Sequence, residues 1–479
     1  MAETINGVER LALTNLEAKA ARDAGVLVLD ERRRRPNYFD GRFLTAADLT
    51  DDQSYVLSRL TDLARTQGQG VSEGLLVSLT NPTDLANRPS TLRVRKGWGL
   101  TGSGELVGLP NDLVVDVGSL AQVQALNDRF GLGPRPVEPQ RTLTGLFILA
   151  LRPVEYTDGP IASYPTGVTG ERRTEDGFIV EATAVTLIRY GGGGAGEAEE
   201  QRRRVTRDIF LLDALRLDSL AVLPLAIVAL SRGVVLWVDN WLVRRELGAV
   251  DHGGLGLFGD TRARRQAHLL QYQGQLEELL EGRRDRGWQF AAAEHFDLLP
   301  PVGQLPREAI LTPPAREDGA VGEAAFQQVF FPPEIETQLA ILPEDELAGL
   351  IEEGLPLPPI DLTVSAKERD AVAVVILLPI ARARLQGLLQ RLAIANLSAL
   401  RLRLRPAAPG QLARRSPLQI LEGLSLPAGS DAATATQEGT NTVVGLWRME
   451  LQSVSTLWFA RRRLFVDHQS VVRLTEVGS

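Results

Sequence analysis

The chain has 479 residues, 44% of them hydrophobic, which is enough for two to four domains each with its own core. Its 60 acidic against 52 basic side chains leave a formal net charge of −8, which argues against a nucleic-acid binder held by bulk electrostatics. It has no cysteine, so a disulfide framework, a thiolate metal site and a thiol nucleophile are all excluded.

The first 35 residues read as an N-terminal arm: a short amphipathic helix, a strand-like Val26-Leu27-Val28-Leu29 and the arginine run Arg32 to Arg35. The opening residues lack a basic segment followed by an uninterrupted apolar run, so no secretion signal is expected. The longest apolar runs, Leu220 to Leu230 and Ala371 to Ile380, are far short of the roughly 20 residues of a spanning helix, and no transmembrane segment is expected.

Residues 36–135 are expected to form a helix with a small β unit. Pro36 fixes the entry, and Asp40-Gly41 is a turn pair. Thr45 stands where an N-cap belongs, with Asp48 three residues on to complete a capping box, Asp replacing the usual Glu or Gln. Leu49, Val56, Leu57, Leu60 and Leu63 then recur at helical spacing, which predicts a helix with one buried face packed on the small sheet that follows. Leu92 to Arg95 and Asp112 to Val117 read as strands, with Gly97, Gly99, Gly102 and Gly104 at hairpin connections.

Residues 136–290 read as a β-rich domain ending in an amphipathic helix. Leu146 to Leu151, Phe178 to Tyr190 and Val222 to Leu230 are strand-like, and Val234 to Val238 returns after the turn Ser231-Arg232-Gly233. The intervening stretches, rich in glycine and charge, are expected to be loops. Thr261 to Arg284 carries a stripe of Leu269, Leu270, Tyr272, Leu276, Leu279 and Leu280, a helix expected to pack on its own domain rather than in a coiled coil. Residues 291–360 are proline-rich, and their alternation with large apolar residues predicts a strap laid across a surface. Residues 361–479 are expected to form a C-terminal α+β domain, with Val372 to Pro379 a strand, Ile380 to Ala393 a helix, and further extended segments at Val443 to Leu451 and Leu457 to Val466. The fold class is α+β and β-rich: several small antiparallel sheets with packed helices and proline-rich connecting straps.

Signatures of catalysis are missing. His252, His268, His295 and His468 make no metal-ligand spacing. Gly191 to Gly194 lacks the Lys-Ser or Lys-Thr of a phosphate loop and is followed by Glu197, Glu199 and Glu200; no GxSxG elbow occurs. No catalytic residue, cofactor site or metal site is therefore assigned.

The phrase Asn37-Tyr38-Phe39-Asp40-Gly41, the helix start Leu44-Thr45-Ala46-Ala47-Asp48-Leu49, the segment Gly70 to Val77 and the extended stretch Leu92 to Val117 together resemble a family of phage-tail-related proteins encoded among baseplate and sheath components of contractile injection systems. The strand order around Leu223-Pro224-Leu225-Ala226 and the phrase Phe296 to Pro306 are similar to that family as well. The resemblance implies a structural baseplate or tail-associated subunit that is not an enzyme. It would be made in the cytoplasm and assembled into a particle that can be extracellular, with other baseplate, tube or sheath subunits as partners, a homo-oligomer among them, and no nucleic acid. A fibre adaptor or receptor-facing module on the same particle is the second reading, and a cell-envelope hydrolase the third. Tyr38, Phe39, Asp40, Gly41, Arg42, Thr45 and Asp48 are the candidates for a structural turn or interface. Phe326, Phe330, Phe331 and Trp288 are candidates for an exposed apolar contact.

Overall fold

The computed structural model describes residues 3–5, 8–10, 13–27, 34–80, 90–117, 144–162, 174–191, 196–212, 221–247, 262–281, 291–309, 311–312, 325–326, 330–388, 390, 426–427, 453–454 and 456–461. Trp288, Val28, Leu29, the Gly192–Gly194 run, the expected Val443–Leu451 strand and two of the histidines, His252 and His468, lie outside them. The fold is mixed α+β, with several small antiparallel sheets.

The arm opens with a hairpin of β1 (Glu3–Ile5) and β2 (Val8–Arg10), followed by α1 (Asn15–Asp23), none of whose residues is buried. Thr14 and Glu17 form a full capping box at its start, which explains a helix with no packed face. Helix α2 (Ala46–Arg65) follows the aromatic turn.

Two three-stranded sheets make the first β unit. β3 (Gly70–Gly74), β6 (Gly97–Leu100) and β7 (Leu106–Leu109) form one, in the order β3-β6-β7; β4 (Val77–Leu79), β5 (Thr91–Val94) and β8 (Leu113–Asp116) form the other, in the order β4-β5-β8. Gly97 and Gly99 lie within β6 rather than at a connection. The reason is close approach: a Cβ on Gly97 would sit 2.0 Å from the Glu73 carbonyl oxygen, and one on Gly99 2.7 Å from that of Gly70.

The central sheet has the order β10-β9-β11-β12, all neighbours antiparallel, from β9 (Gly145–Ala162), β10 (Thr174–Arg189), β11 (Leu223–Ser231) and β12 (Val234–Asp239). It is covered on both faces. Phe147, Leu149 and Leu151 pack with Val71, Leu92, Val94 and Val107 of the first β unit. The alternate residues Leu146, Ile148 and Ala150 pack with Val205, Ile209 and Phe210 of helix α3 (Ala198–Phe210). A register shift between Pro224 and Ala226 lets Leu223, Leu225, Ala226 and Val228 all serve the first of these cores. The first β unit and the central sheet thus share one core. Their contact continues through Val77, whose amide donates to Asn240 Oδ1 at 2.8 Å, and through Arg244, which donates to the Gly74 carbonyl at 2.8 Å.

Helix α3 falls where the sequence pattern predicts loop, because glutamates and arginines surround its few apolar positions. Its buried Val205, Ile209 and Phe210 stand at spacings of four and one, which is a helical stripe of the narrowest kind. Helix α4 (Arg262–Glu281) matches the expected amphipathic helix and packs on its own body, with Leu269, Tyr272 and Leu276 buried.

The described part of the proline-rich stretch is built into strands rather than laid over a surface. β14 (Val302–Pro306) and β17 (Glu336–Pro343) belong to a second sheet with the order β14-β21-β19-β17-β20, while the short β13 (Leu298–Leu299) and the pair β15 (Leu311–Thr312) and β16 (Ala325–Phe326) lie outside that sheet. β13 pairs with β18 (Ile360–Asp361), while β19 (Ala373–Ile380), β20 (Leu426–Pro427) and β21 (Thr456–Arg461) complete the larger sheet. β17 and β19 run parallel, the one parallel pairing among the named strands of these sheets. Prolines at strand ends, such as Pro306 and Pro343, leave the interior of each ladder intact. One core joins Leu299, Val302, Leu305, Phe330 and Phe331 to Val374, Ile376, Leu457 and Phe459, so the strap and the C-terminal strands are packed together.

Candidate functional site

The turn before α2 is built by its own backbone and one arginine. Gly41 takes φ +86°, and the Arg42 amide donates to the Phe39 carbonyl at 3.1 Å, which closes the turn. The Arg42 guanidinium donates to the Asn37 carbonyl at 2.5 Å, ion-pairs with Asp48 and lies 5.9 Å from the centre of the Tyr38 ring. Asp48 also accepts from the Thr45 amide at 3.0 Å and from its hydroxyl at 2.8 Å, while the Asp48 amide donates back to Thr45 Oγ1 at 3.2 Å. Hydrogen bonds from the Thr45 backbone and then its hydroxyl hold the Asp48 carboxyl below its ordinary range, with Arg42 adding to them. Arg42, Thr45 and Asp48 thus lock turn to helix. Tyr38 and Phe39 are left exposed, as is the neighbouring Phe43, and Asp40 sits at the open tip.

The helix does not pack as its periodicity predicts. None of its residues is buried, and Leu49, Val56, Leu57, Leu60 and Leu63 are between 49% and 64% exposed. The face turned to the body is the polar one. Arg65 Nε donates to the Ser103 carbonyl at 2.7 Å, and Gly104, at φ +89°, comes so near that a Cβ there would lie 2.4 Å from the Thr61 carbonyl oxygen. Contacts through Thr61 and Arg65 fix the C-terminal half of α2 against the β6–β7 turn and aim the leucines away from it. The stripe does not meet the small sheet as its spacing predicts; it faces away from the body. What the spacing cannot tell is whose surface does the burying.

A second apolar surface lies on the β9–β10 ribbon, which outruns the central sheet. Tyr156 pairs with Val180, and Val154 and Phe178 fall on the same face two residues away; Tyr156 and Phe178 are exposed. By contrast, Phe330 and Phe331, expected at an exposed contact, are buried against Phe459, at ring-centre distances of 6.4 Å and 5.3 Å. They pack in the core of the second sheet with Val374, Ile376 and Phe459. The backbone of Phe326 lies in β16, paired with Leu311.

An open cleft of about 630 Å³ lies between α3, β12 and α4, with Glu200, Arg203, Trp237, Glu278, Glu294 and His295 in its wall. Buried Arg202 forms its floor. Its guanidinium donates to Asp239 at 2.8 and 2.9 Å and to Glu278 at 2.6 Å, and lies 5.3 Å from the Trp237 ring centre. Asp239 also accepts from the amides of Trp241 and Leu242 and from Gln271. Both partner carboxylates act on Arg202 to keep it charged despite burial. Glu278 and Glu200 are thus each engaged by an arginine, Arg202 and Arg204 respectively. The cleft reads as a charged seam joining α3, β12 and α4. Among the described residues, no group of three or more His, Asp or Glu side chains is placed to hold a metal ion, and no helix is long and apolar enough to cross a membrane.

No family model matches the chain, and no curated protein matches it. Solved structures similar to it include a type VI secretion system TssK-TssF-TssG baseplate subcomplex, at 12% identity over 53% of this chain and 72% of that one, with a TM-score of 0.22. A crystal structure of TssK matches at 10% identity over 53% of this chain and 49% of the other, with a TM-score of 0.23. A type VI secretion baseplate complex matches at 12% identity over 87% of this chain and 99% of the other, with a TM-score of 0.22. At these scores the superpositions carry no argument about what this chain does.

Proposed function

We propose that this chain is a structural subunit of a phage-tail-like contractile injection particle, built into or onto its baseplate and acting through protein–protein assembly rather than catalysis. The observation that carries the reading is the outward stripe of α2. Five large apolar side chains on one helix face are left in water, as are Phe39 and Phe43 of the preceding turn, by a body that holds the helix by its polar side. A stripe of that extent in a free subunit marks an association surface. The resemblance of Asn37 to Leu49 and of Gly70 to Val77 to injection-system proteins names the class of particle. In that role the packed cores hold position, and the exposed helix, the turn and the ribbon supply area to neighbouring subunits.

The receptor-facing reading loses its candidate patch with the burial of Phe330 and Phe331. The assembly reading is tested by isolating the particles from the cells that make this chain and asking whether it sediments with sheath and tube proteins. Fixed stoichiometry through a gradient is the expected result; recovery only as free protein contradicts it.

A further inference from the structure

We propose that α2 is a homodimerisation helix, and that two copies of this chain pack their α2 stripes against each other in antiparallel register. This goes beyond the particle reading and does not rest on it, because a free dimer in solution satisfies it.

The stripe has heptad spacing. Ala46, Gln53 and Leu60 recur every seven residues, and so do Leu49, Val56 and Leu63, the two series interleaved at three and four. These are the a and d positions of a coiled-coil seam. All six belong to the exposed side of the helix. In the antiparallel pair, Gln53 of one copy lies opposite Val56 of the other, Leu60 opposite Leu49, and Ala46 opposite Leu63, a small residue against a large one. Leu57 widens the seam on one flank.

The other flank sets the direction. Asp52 and Arg59 each stand one residue before an a position, so both are g positions, and g faces g across an antiparallel seam. Asp52 of each copy then meets Arg59 of the other, giving two reciprocal ion pairs from one sequence, as a two-fold axis requires. A parallel pair would instead set Asp52 beside Leu57 and Arg59 beside Ala64, leaving both charges unanswered. Opposed helix dipoles act in the same sense. Shape agrees too. Each α2 meets its own body through Thr61 and Arg65, near its C-terminal end, so the antiparallel arrangement puts the two bodies at opposite ends of the pair.

The seam is shorter than the three to four heptads of a free-standing coiled coil. It is completed by the turn: Phe43 continues the apolar surface at the N-terminal end, where the C-terminal end of the other α2 lies.

Because the full chain has no cysteine, single cysteines report on register without background. Leu49→Cys and Leu60→Cys variants, mixed under mild oxidation, should give a mixed disulfide dimer well in excess of what either variant gives alone. Self-cross-linking of each variant alone at equal or higher yield would mean a parallel pair and overturn the proposal. Sedimentation of the wild type should show twice the monomer mass at tens of micromolar. Asp52→Arg and Arg59→Asp should each shift it towards monomer, and the double swap should restore the dimer. Arg59 is exposed and Asp52 only half-buried, with no core residue beside either in α2, so circular dichroism should match the wild type; a monomeric wild type, or charge swaps without effect, would overturn the proposal. A chain that is monomeric alone yet cross-links through α2 to a different subunit in intact particles also overturns it, while leaving the assembly role standing.

Discussion

Arg202 shows how a charged side chain becomes structural at this molecule's interior. It is buried between Asp239 and Glu278, and Asp239 in turn receives two backbone amides and Gln271, so the arginine is the one cation in a fully used acceptor set. Arg202→Ala strands a buried carboxylate and should cost about 3–5 kcal/mol of stability, read from the denaturant midpoint, whereas replacing Arg202 and Asp239 together by apolar residues of similar volume should cost much less. His268 is a second buried group with a measurable signature. Stacked on Phe210 at 4.6 Å between ring centres, it has its proton affinity pushed down to about pKa 3, chiefly by burial. The unfolded chain binds that proton near the ordinary value of 6.5 and the folded chain only near 3, so this group's contribution is present above about pH 6.5 and is lost as pH falls from there towards 3, at up to about 1.4 kcal/mol per pH unit. His268→Phe keeps the stack and should flatten the stability profile over that window; an unchanged slope would mean that other groups produce it.

Among the elements, α2 is formed by local signals and left unpacked by tertiary ones. Its start was legible residue by residue: Thr45 and Asp48 form the capping box that their spacing announces, and Gly41 supplies the positive φ of the turn. Thr45→Ala should therefore cost about 1 kcal/mol, seen as faster hydrogen exchange across the first turns of α2 rather than as global unfolding, because no core depends on it. The central strands, helix α4 and β19 were legible from β-branched runs and from a leucine stripe. Helix α3 was not, since its charged residues outnumber Val205, Ile209 and Phe210 and pattern alone cannot see that Arg202 would be buried with its partners. The proline-rich stretch misled for a related reason. Proline spacing forbids helix but says nothing about whether the leucines between are covered, and here Leu299, Val302 and Leu305 enter the core beside Phe330. Phe330→Ala should accordingly destabilise by about 3–5 kcal/mol in equilibrium unfolding, the cost of a core cavity, where an exposed phenylalanine would cost almost nothing. In the candidate site, sequence gave each residue of the turn and the stripe but not the direction in which the stripe faces. That direction is set by Gly104 and Arg65, which draw the polar side of α2 onto the β6–β7 turn.

At the scale of the whole molecule, the central sheet is closed on both faces, the second sheet shares its core with the proline-rich stretch, and ion pairs from α3, Arg207 to Asp361 at 3.1 Å and Arg203 to Asp297 at 3.8 Å, run from one to the other. Against such a body, the leucine stripe of α2 and the apolar face of the β9–β10 ribbon stand out as uncovered. The stripe's chemistry demands burial that its own chain does not provide, so the account places that burial in an assembly. The most direct measurement is Leu60→Glu in the full chain, with monomer stability read by denaturant unfolding and incorporation read by sedimentation with native particles. At a concentration low enough to keep the wild type monomeric, the unfolding free energy should be unchanged within about 0.5 kcal/mol, as for an exposed site, and the chain should be lost from the particles. Marked destabilisation of the isolated chain would mean that the stripe packs on its own body, and normal incorporation would mean that it is not an assembly surface; either result contradicts the account.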